Sequence, residues 1–496
     1  MEHTENPYLK TLYSRQFLLS PHKCNVPGHW RQEMLGERYL FMHPSLDFTK
    51  LTNAEGVEII LLGFMLDPNL PDANNDGILS VLAKQSSFDP AEVAHFLYPM
   101  SGRFVLMIKK GKDTRVYNDP CGLKMVYFTQ HQGAVYLGSQ PYIFKLAFDL
   151  EPGPRFHQYN NSQYVKNYKE HCLVSGVSLF EEIHHLIPNH LLHLEGFKQE
   201  RYFPCKELEE KSIDYVVKES SQLLQNSIIA AHKRFNLAFT MTAGTDSRLL
   251  FAATKPISKD LYYFTYLHHR LSANSRDIVI PQKLLGSLNL QHSVIKLKNK
   301  PDKKFQEIYK RNTPMDHTDD WGYMIGSAMN SFPQNKVSTH GGCDIYKCKF
   351  YPDGIKRKIN RGEELTNLET IFVDWNELPF LKEAYHKWFS ESKDQFDKYN
   401  YYVLDMAHWE ILNGTWLAQA QTENDMVHDT FTPFNNRKLL DLMLSVDVKY
   451  RIKPQNLLFH EMIKFLWPEV LKYPINPAPS FYAKLKRKIK KISGFY

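Results

Sequence analysis

The sequence predicts two fold classes in succession, an antiparallel α+β half followed by an α/β half with a parallel sheet. Three observations carry that prediction. Residues 1–205 hold short β-branched and aromatic runs separated by turn-prone stretches. From residue 206 strand-like runs alternate with apolar residues at helical spacing. The 496 residues also exceed what one hydrophobic core usually organises, so a division into domains at 1–205 and 206–480 is expected, followed by a tail over 481–496.

In the first half, residues 59–64, 104–108, 115–117, 125–128 and 134–138 read as strands. Turn signals such as Lys110-Gly111-Lys112-Asp113 and Gln130-His131-Gln132-Gly133 divide them. Ser212-Ile213-Asp214 then caps a helix over 215–231. Residues 237–241 form the first strand of the second half, followed by a turn and a helix over 248–254. A second strand over 261–266 and a second helix over 277–285 come next. Strand alternating with helix implies a parallel sheet covered on both faces, with ligands at the carboxyl ends of its strands. Residues 402–466 read as mainly helical, and Pro474, Pro477 and Pro479 discourage helix beyond Lys472.

Composition excludes several classes. With 43% hydrophobic and 23% charged residues the chain has an ordinary globular balance, not that of a disordered protein. The formal charge of +7 is modest for the length and partly sits in the tail at Lys484, Lys486, Arg487, Lys488, Lys490 and Lys491, so no nucleic-acid partner follows from it. Six cysteines, Cys24, Cys121, Cys172, Cys205, Cys343 and Cys348, lack CxxC spacing and read as free thiols in a reducing compartment. The start has neither the basic head nor the apolar core of a signal peptide, and no apolar run approaches the roughly 20 residues that span a bilayer. A cytoplasmic protein without a transmembrane segment is expected.

The chemistry centres on Thr242-Ala243-Gly244-Thr245-Asp246-Ser247, which joins the first strand of the second half to a helix. Small residues let backbone approach phosphate oxygens, and a helix N-terminus offers unpaired N–H donors and partial positive charge. Thr242 and Ser247 add hydroxyls. Asp246 would repel phosphate unless a cation bridges the two, and magnesium is the natural candidate. The same residue types also make an ordinary helix cap, which is the alternative reading of the hexapeptide taken alone.

This turn resembles the SGGxDS pyrophosphate loop of the asparagine synthetase and β-lactam synthetase family, with Thr242 for the first serine and Ala243 for the first glycine. Where a second serine often closes that motif, this chain has Arg248. Val337-Ser338-Thr339-His340-Gly341-Gly342-Cys343-Asp344 is similar to the family's SGEGSDE segment, and Thr432-Pro433-Phe434-Asn435-Asn436-Arg437 to its R-x-PFLD segment. The resemblance implies a doubly wound PP-loop fold, ATP and Mg2+ as cofactors, Asp246 and Asp344 on the metal, and nucleotide contacts from the turn, Gly342 and the region 264–266 beginning with Phe264.

The first half resembles the family's glutaminase domain, a four-layer antiparallel sandwich of the N-terminal-nucleophile type. The resemblance rests on Leu62-Gly63-Phe64-Met65-Leu66-Asp67, Ser101-Gly102-Arg103-Phe104, Asn118-Asp119-Pro120-Cys121-Gly122-Leu123-Lys124, Gly138-Ser139-Gln140 and Ile187-Pro188-Asn189-His190, in that order. A working glutaminase of this type needs a cysteine at position 2, whose thiol attacks while the chain's amine acts as base. This chain has Glu2, so no glutamine hydrolysis in cis is expected.

The resemblance further implies that a small-molecule carboxylate is adenylated, pyrophosphate leaves, and ammonia or an amine displaces AMP; a separate glutaminase is one source of ammonia. For the acceptor step Glu410 and Glu423 are candidate acids and His340 a candidate base. Gly341 stands where β-lactam-forming members have a tyrosine, with Tyr346 five residues later, and Lys472-Tyr473-Pro474-Ile475-Asn476-Pro477 replaces the family's R-x-K segment. Asp316, Asp319 and Asp320 beside Trp321 suit a cationic or hydroxyl-rich acceptor, or a solvated loop. An intramolecular cyclase and a catalytically inactive binding protein of the same fold remain the alternatives.

Overall fold

The structure is a computed structural model. It describes residues 6–85, 87–168, 170–297, 302–313, 315–318, 320–343, 345–348, 362–452 and 456–477. Asp319, Asp344 and the basic tail lie outside the described residues, as does the side chain of Tyr346.

The chain is a mixed α/β protein. Its first part contributes strands β1 (Phe17–Ser20), β2 (Arg31–Leu35), β3 (Arg38–Met42), β4 (Phe48–Thr52), β5 (Glu58–Leu66), β6 (Ser101–Lys110), β7 (Asp113–Asn118), β8 (Tyr127–His131), β9 (Ala134–Gly138), β10 (Ile183–His185), β11 (His190–His193) and β12 (Lys198–Arg201). Among the described residues they make two six-stranded antiparallel sheets, ordered β10-β8-β9-β1-β3-β2 and β12-β11-β7-β6-β5-β4. Side-chain alternation places the sheets face to face. Phe17, Leu19, Leu40 and Met42 of one share a buried cluster with Ile60, Leu62, Val105 and Met107 of the other. Leu18, Phe41, Ile59, Leu61 and Leu106, the intervening residues, pack on the far sides. Both faces of β5 are therefore covered, which is why it reads as an unbroken apolar run.

Gly63 and Gly102 hold φ of 85° and 120° where β5 and β6 pass each other. A Cβ on either would stand 2.2 Å from a carbonyl oxygen of the opposing strand, so only glycine fits. That close approach leaves the Gly102 carbonyl free to accept from Asn435 Nδ2 at 2.7 Å.

The second part contributes β13 (Leu237–Thr240), β14 (Tyr262–Leu267), β15 (His292–Lys296), β16 (Val337–Thr339) and β17 (Thr430–Phe431). All pair in parallel, in the order β15-β14-β13-β16-β17. The chain steps from β13 outward through β14 to β15, then returns to the other side of β13 for β16 and β17. The order therefore reverses between β13 and β16, where a doubly wound sheet opens a crevice at its carboxyl edge. The helix Ile213–Arg234, capped by Ser212, packs against Leu457–Leu466, which in turn packs on Thr245–Ala253. A long buried helix runs from Val403–Ala407 through a π-helical stretch His408–Leu417 into Ala418–Asn424. Among the described residues no helix is long and apolar enough to cross a membrane.

The expected strands over 59–64, 104–108, 115–117 and 134–138 are present within β5, β6, β7 and β9, while the run at 125–128 becomes a strand only from Tyr127. The helix expected from residue 248 begins three residues earlier at Thr245, because Gly244 takes the N-cap in extended backbone. Within the region expected to be mainly helical lies β17, two residues whose pairing partners are 92 positions earlier, as in Ser338 with Thr430 and Thr339 with Phe431.

The antiparallel and parallel parts meet across a buried polar seam. The Arg103 guanidinium binds both carboxylate oxygens of Asp425, at 2.5 and 2.9 Å, and Lys124 Nζ lies 3.5 Å from the same carboxylate. Asp429 adds a second negative charge, 3.6 Å from Arg103 and 3.8 Å from Arg15. Asp119 accepts from the backbone of Leu123 and Lys124 and from Asn435 Nδ2. Glu410 is fully buried and accepts from Arg201, Asn189 Nδ2 and Trp388 Nε1. Arg437 donates to Asn189 Oδ1 and to the Tyr202 hydroxyl. Arg103, Asp425, Lys124, Arg201 and Glu410 are nearly stripped of water, while Arg15 and Asp429 each keep 20% of their side-chain exposure, so removing a buried partner strands the others. Asp425→Asn should lower stability by about 3–5 kcal/mol in urea unfolding, and the double change Arg103→Met/Asp425→Leu should cost less than the sum of its singles.

Candidate functional site

The carboxyl ends of β13 and β16 carry the two segments that the sequence singles out, and they lie side by side. A Cβ on Gly341 would stand 3.7 Å from Asp246 Cβ. Thr240 N donates to Thr339 Oγ1 at 3.1 Å and Thr240 Oγ1 to Thr339 O at 3.0 Å, locking the strand ends in register.

The turn organises itself with its own side chains. Thr242 N donates to Ser247 Oγ at 2.8 Å, Ala243 N to Asp277 Oδ1 at 3.0 Å and Gly244 N to Thr242 Oγ1 at 3.1 Å. Thr245 and Asp246 open the helix Thr245–Ala253, with no side-chain cap on its Gly244 N-cap. The Asp246 carboxylate is ion-paired to Lys347. Arg248 is buried, donates to the carbonyls of Val470, Tyr473 and Pro474, and is pulled down to about 10 by burial. Asn476 completes this strap: its N–H meets Ala243 O at 2.9 Å and its Nδ2 meets Thr245 Oγ1 at 2.9 Å.

Phe264 and Gly342 are both buried. The Phe264 ring packs inside the sheet against Tyr266 and Phe332, with centroids 5.0 and 5.4 Å away, and its carbonyl accepts from Met241 N. Gly342 faces Leu417, where a Cβ would come within 2.6 Å of a methyl carbon. The segment packs closely on the π-helical stretch there, and a larger residue would need the Leu417 side chain to shift. Among the described residues no group of three or more His, Cys, Asp or Glu could hold a metal ion. Magnesium, however, commonly takes only one or two carboxylates and completes its shell with phosphate and water. Asp246 meets that requirement only if Lys347 yields its place.

The candidate acids separate. Glu410 is committed to the seam, far from the turn in its contacts, whereas Glu423 anchors a second polar cluster. Glu423 is buried and takes the His317 backbone N–H on Oε1 at 2.8 Å, the His317 ring Nδ1 on Oε2, and Gln419 Nε2 at 3.2 Å. The His317 ring is edge-on to Trp321 and Trp416, with centroids 4.9 and 5.5 Å away. Tyr309 and Asp316 close the cluster, and burial followed by the Glu423 charge raises the Asp316 carboxyl to about 7. His340 donates its backbone N–H to Phe431 O, and its ring Nδ1 has no hydrogen-bond partner among the described residues. Burial, with the nearby His317 and Arg103, lowers it to about 4, so it is neutral at pH 7.

The acidic group at 316–320 is thus divided by the fold. Asp316 turns inward to the cluster, while Asp320 turns outward to Arg270 and His269. Sequence reasoning missed His317, Lys347 and Asp277. His317 carried one signal, its place inside an acidic, tryptophan-flanked segment; its partner Glu423 is 106 positions away. Elsewhere, a cleft of ≈ 680 Å³ opens beside β10, β12 and the helix Pro379–Lys398 and shares no lining residue with this site.

No protein-family model matches the chain, and no curated protein matches it in sequence. Among solved structures, a glutamine phosphoribosylpyrophosphate amidotransferase from B. subtilis, complexed with ADP and GMP, aligns at 9% identity over 68% of this chain and 71% of its own, with a TM-score of 0.26. A structure described as the allosteric regulatory enzyme of purine biosynthesis aligns at 9% identity over 67% and 70%, again with a TM-score of 0.26. Superpositions of that quality carry nothing over to this chain.

Asp316 gives a signed pH effect. Its carboxyl holds a proton more tightly folded than unfolded, so its contribution to stability is present below about 4 and is lost as pH rises through about 7. Asp316→Asn should therefore raise the unfolding free energy by a few kcal/mol at pH 8 and change it little at pH 4, as followed by denaturant titration at both values.

Proposed function

We propose that the chain is an AMP- and pyrophosphate-forming carbon–nitrogen ligase of the asparagine synthetase and β-lactam synthetase type, with a PP-loop sheet and an N-terminal-nucleophile-type sandwich that has become a wall. The observation that supports this best is the meeting of the turn 242–247 with the segment 340–342 at the reversal of strand order. In the proposed reaction a carboxylate oxygen attacks the α-phosphorus of ATP, and the bond to pyrophosphate breaks. An amine then attacks the acyl carbon and AMP leaves.

The chain's own groups have definable tasks in that scheme. The first N–H groups of the helix Thr245–Ala253 and the hydroxyls of Thr242 and Ser247 receive the leaving pyrophosphate. Lys347, drawn from Asp246 toward the phosphates, supplies positive charge where the C-terminal segment has no matching lysine. Magnesium bound with the nucleotide would take Asp246 as a protein ligand and neutralise developing charge. Ammonia or an amine, not glutamine, is the nitrogen source in this reading. The Cys24 thiol is raised by burial and donates to Ser20 Oγ and the His22 carbonyl, which leaves it poorly suited to attack.

One observation favours a second reading, a catalytically inactive binding protein of the same fold. The N–H groups of Thr242, Ala243 and Gly244 are all taken by side chains of the protein itself. Incubation with ATP, magnesium and pooled carboxylic acids separates the two. The ligase releases pyrophosphate, and Asp246→Asn cuts that release by about 100-fold or more. No release across the panel, with no heat of magnesium–ATP binding in calorimetry, leaves only the binding protein.

A further inference from the structure

We propose that His317, oriented by Glu423 and enclosed by Trp321 and Trp416, is the base of an acceptor site for a primary amine; this rests on the ligase reading above. The pair has a definite tautomer. A carboxylate can only accept, so the Nδ1 facing Glu423 Oε2 carries the proton and Nε2 keeps its lone pair. Glu423 is itself fixed at both oxygens, by the His317 backbone N–H on Oε1 and by the ring on Oε2, with Gln419 Nε2 bracing Oε1. Such double anchoring sets the ring plane, and the edge-on indoles of Trp321 and Trp416 confine it from two sides. Glu423 is accordingly the positioning residue and His317 the catalytic one.

The surroundings select a cation. The Glu423 carboxylate, joined by Asp316 when it is ionised, presents negative potential, which attracts an ammonium and repels a second carboxylate. The cluster also adjoins the nucleotide crevice. His340 lies within electrostatic reach of His317, Gly341 lies against Asp246, and Gly342 packs on Leu417, the neighbour of Trp416. An ammonium entering there gives one proton to His317 Nε2. Its nitrogen lone pair then forms the bond to the acyl carbon while the acyl–oxygen bond breaks, and AMP departs with that electron pair and takes up the nitrogen's second proton on its phosphate.

Two nucleophiles test the assignment, because hydroxylamine is already unprotonated at neutral pH and needs no base, whereas ammonia and methylamine are protonated. The full chain is supplied with ATP, magnesium and the acid pool, and with ammonium chloride, methylamine or hydroxylamine in turn. For His317→Gln, amide formation from ammonium or methylamine should fall by about 100-fold or more, while hydroxamate formation from hydroxylamine stays within about threefold. Glu423→Gln, which preserves volume, should show the same selectivity at about tenfold or more, an effect that a merely structural change would not confine to one nucleophile. Equal losses with both nucleophiles in both variants, or no loss with either, overturn the proposal. A native chain that releases no pyrophosphate with any acid overturns the ligase reading instead, and this proposal with it.

Discussion

The pairing of Arg103 with Asp425 is the contact on which the rest of the molecule depends. It joins a strand of the antiparallel sandwich to the helix end that precedes β17, and it does so where neither charge reaches water. A guanidinium and a carboxylate in such a place are tolerable only together, with Lys124, Asp429 and Asp119 balancing around them. The relative placement of the two parts is thereby over-determined. Asp425 stands two residues beyond Glu423, so the charge that holds the halves together also aims the carboxylate that holds His317. The sandwich is thereby tied to the end of the helix that carries Glu423.

Electrostatics at the turn follows a different logic. There the charges are partly accessible, and the Asp246–Lys347 pair retains 24% and 14% of its side-chain exposure. A pair of that kind is loosely held and exchangeable, unlike the seam. Arg248, by contrast, is sunk under the segment 470–476, where its two terminal nitrogens donate to backbone carbonyls. The turn is therefore rigid beneath, where Arg248 and Asn476 tie it down, and adjustable above, where Lys347 meets Asp246.

What was legible in the sequence tracks how local each signal is. β5, β6, β7 and β9 could be read because their apolar runs are self-contained, and the helix from Ile213 because Ser212 caps it and its periodicity is long. β16 and β17, three and two residues long, could not, since their identity as strands comes wholly from neighbours far along the chain. The turn at 242–247 was legible as small residues between strand and helix; its capping by Asp277, 34 positions along the chain, was not. Among the candidate acids, Glu423 and Glu410 look alike in sequence, yet one faces an imidazole and the other a guanidinium. Burial decides between them, and burial belongs to the whole fold.

The π-helical stretch His408–Leu417 has a consequence for how this chain can vary. The stretch itself carries Trp409 and Glu410, which face the sandwich, and leads into Gln419, Glu423 and Asp425, which face the cluster and the seam. Each residue of an α-helix turns its successors by about 100°. Loss of a single residue within the stretch would therefore swing the latter three side chains away from their partners together, even with every side chain retained. Length, more than composition, is the property on which the contacts of this helix depend.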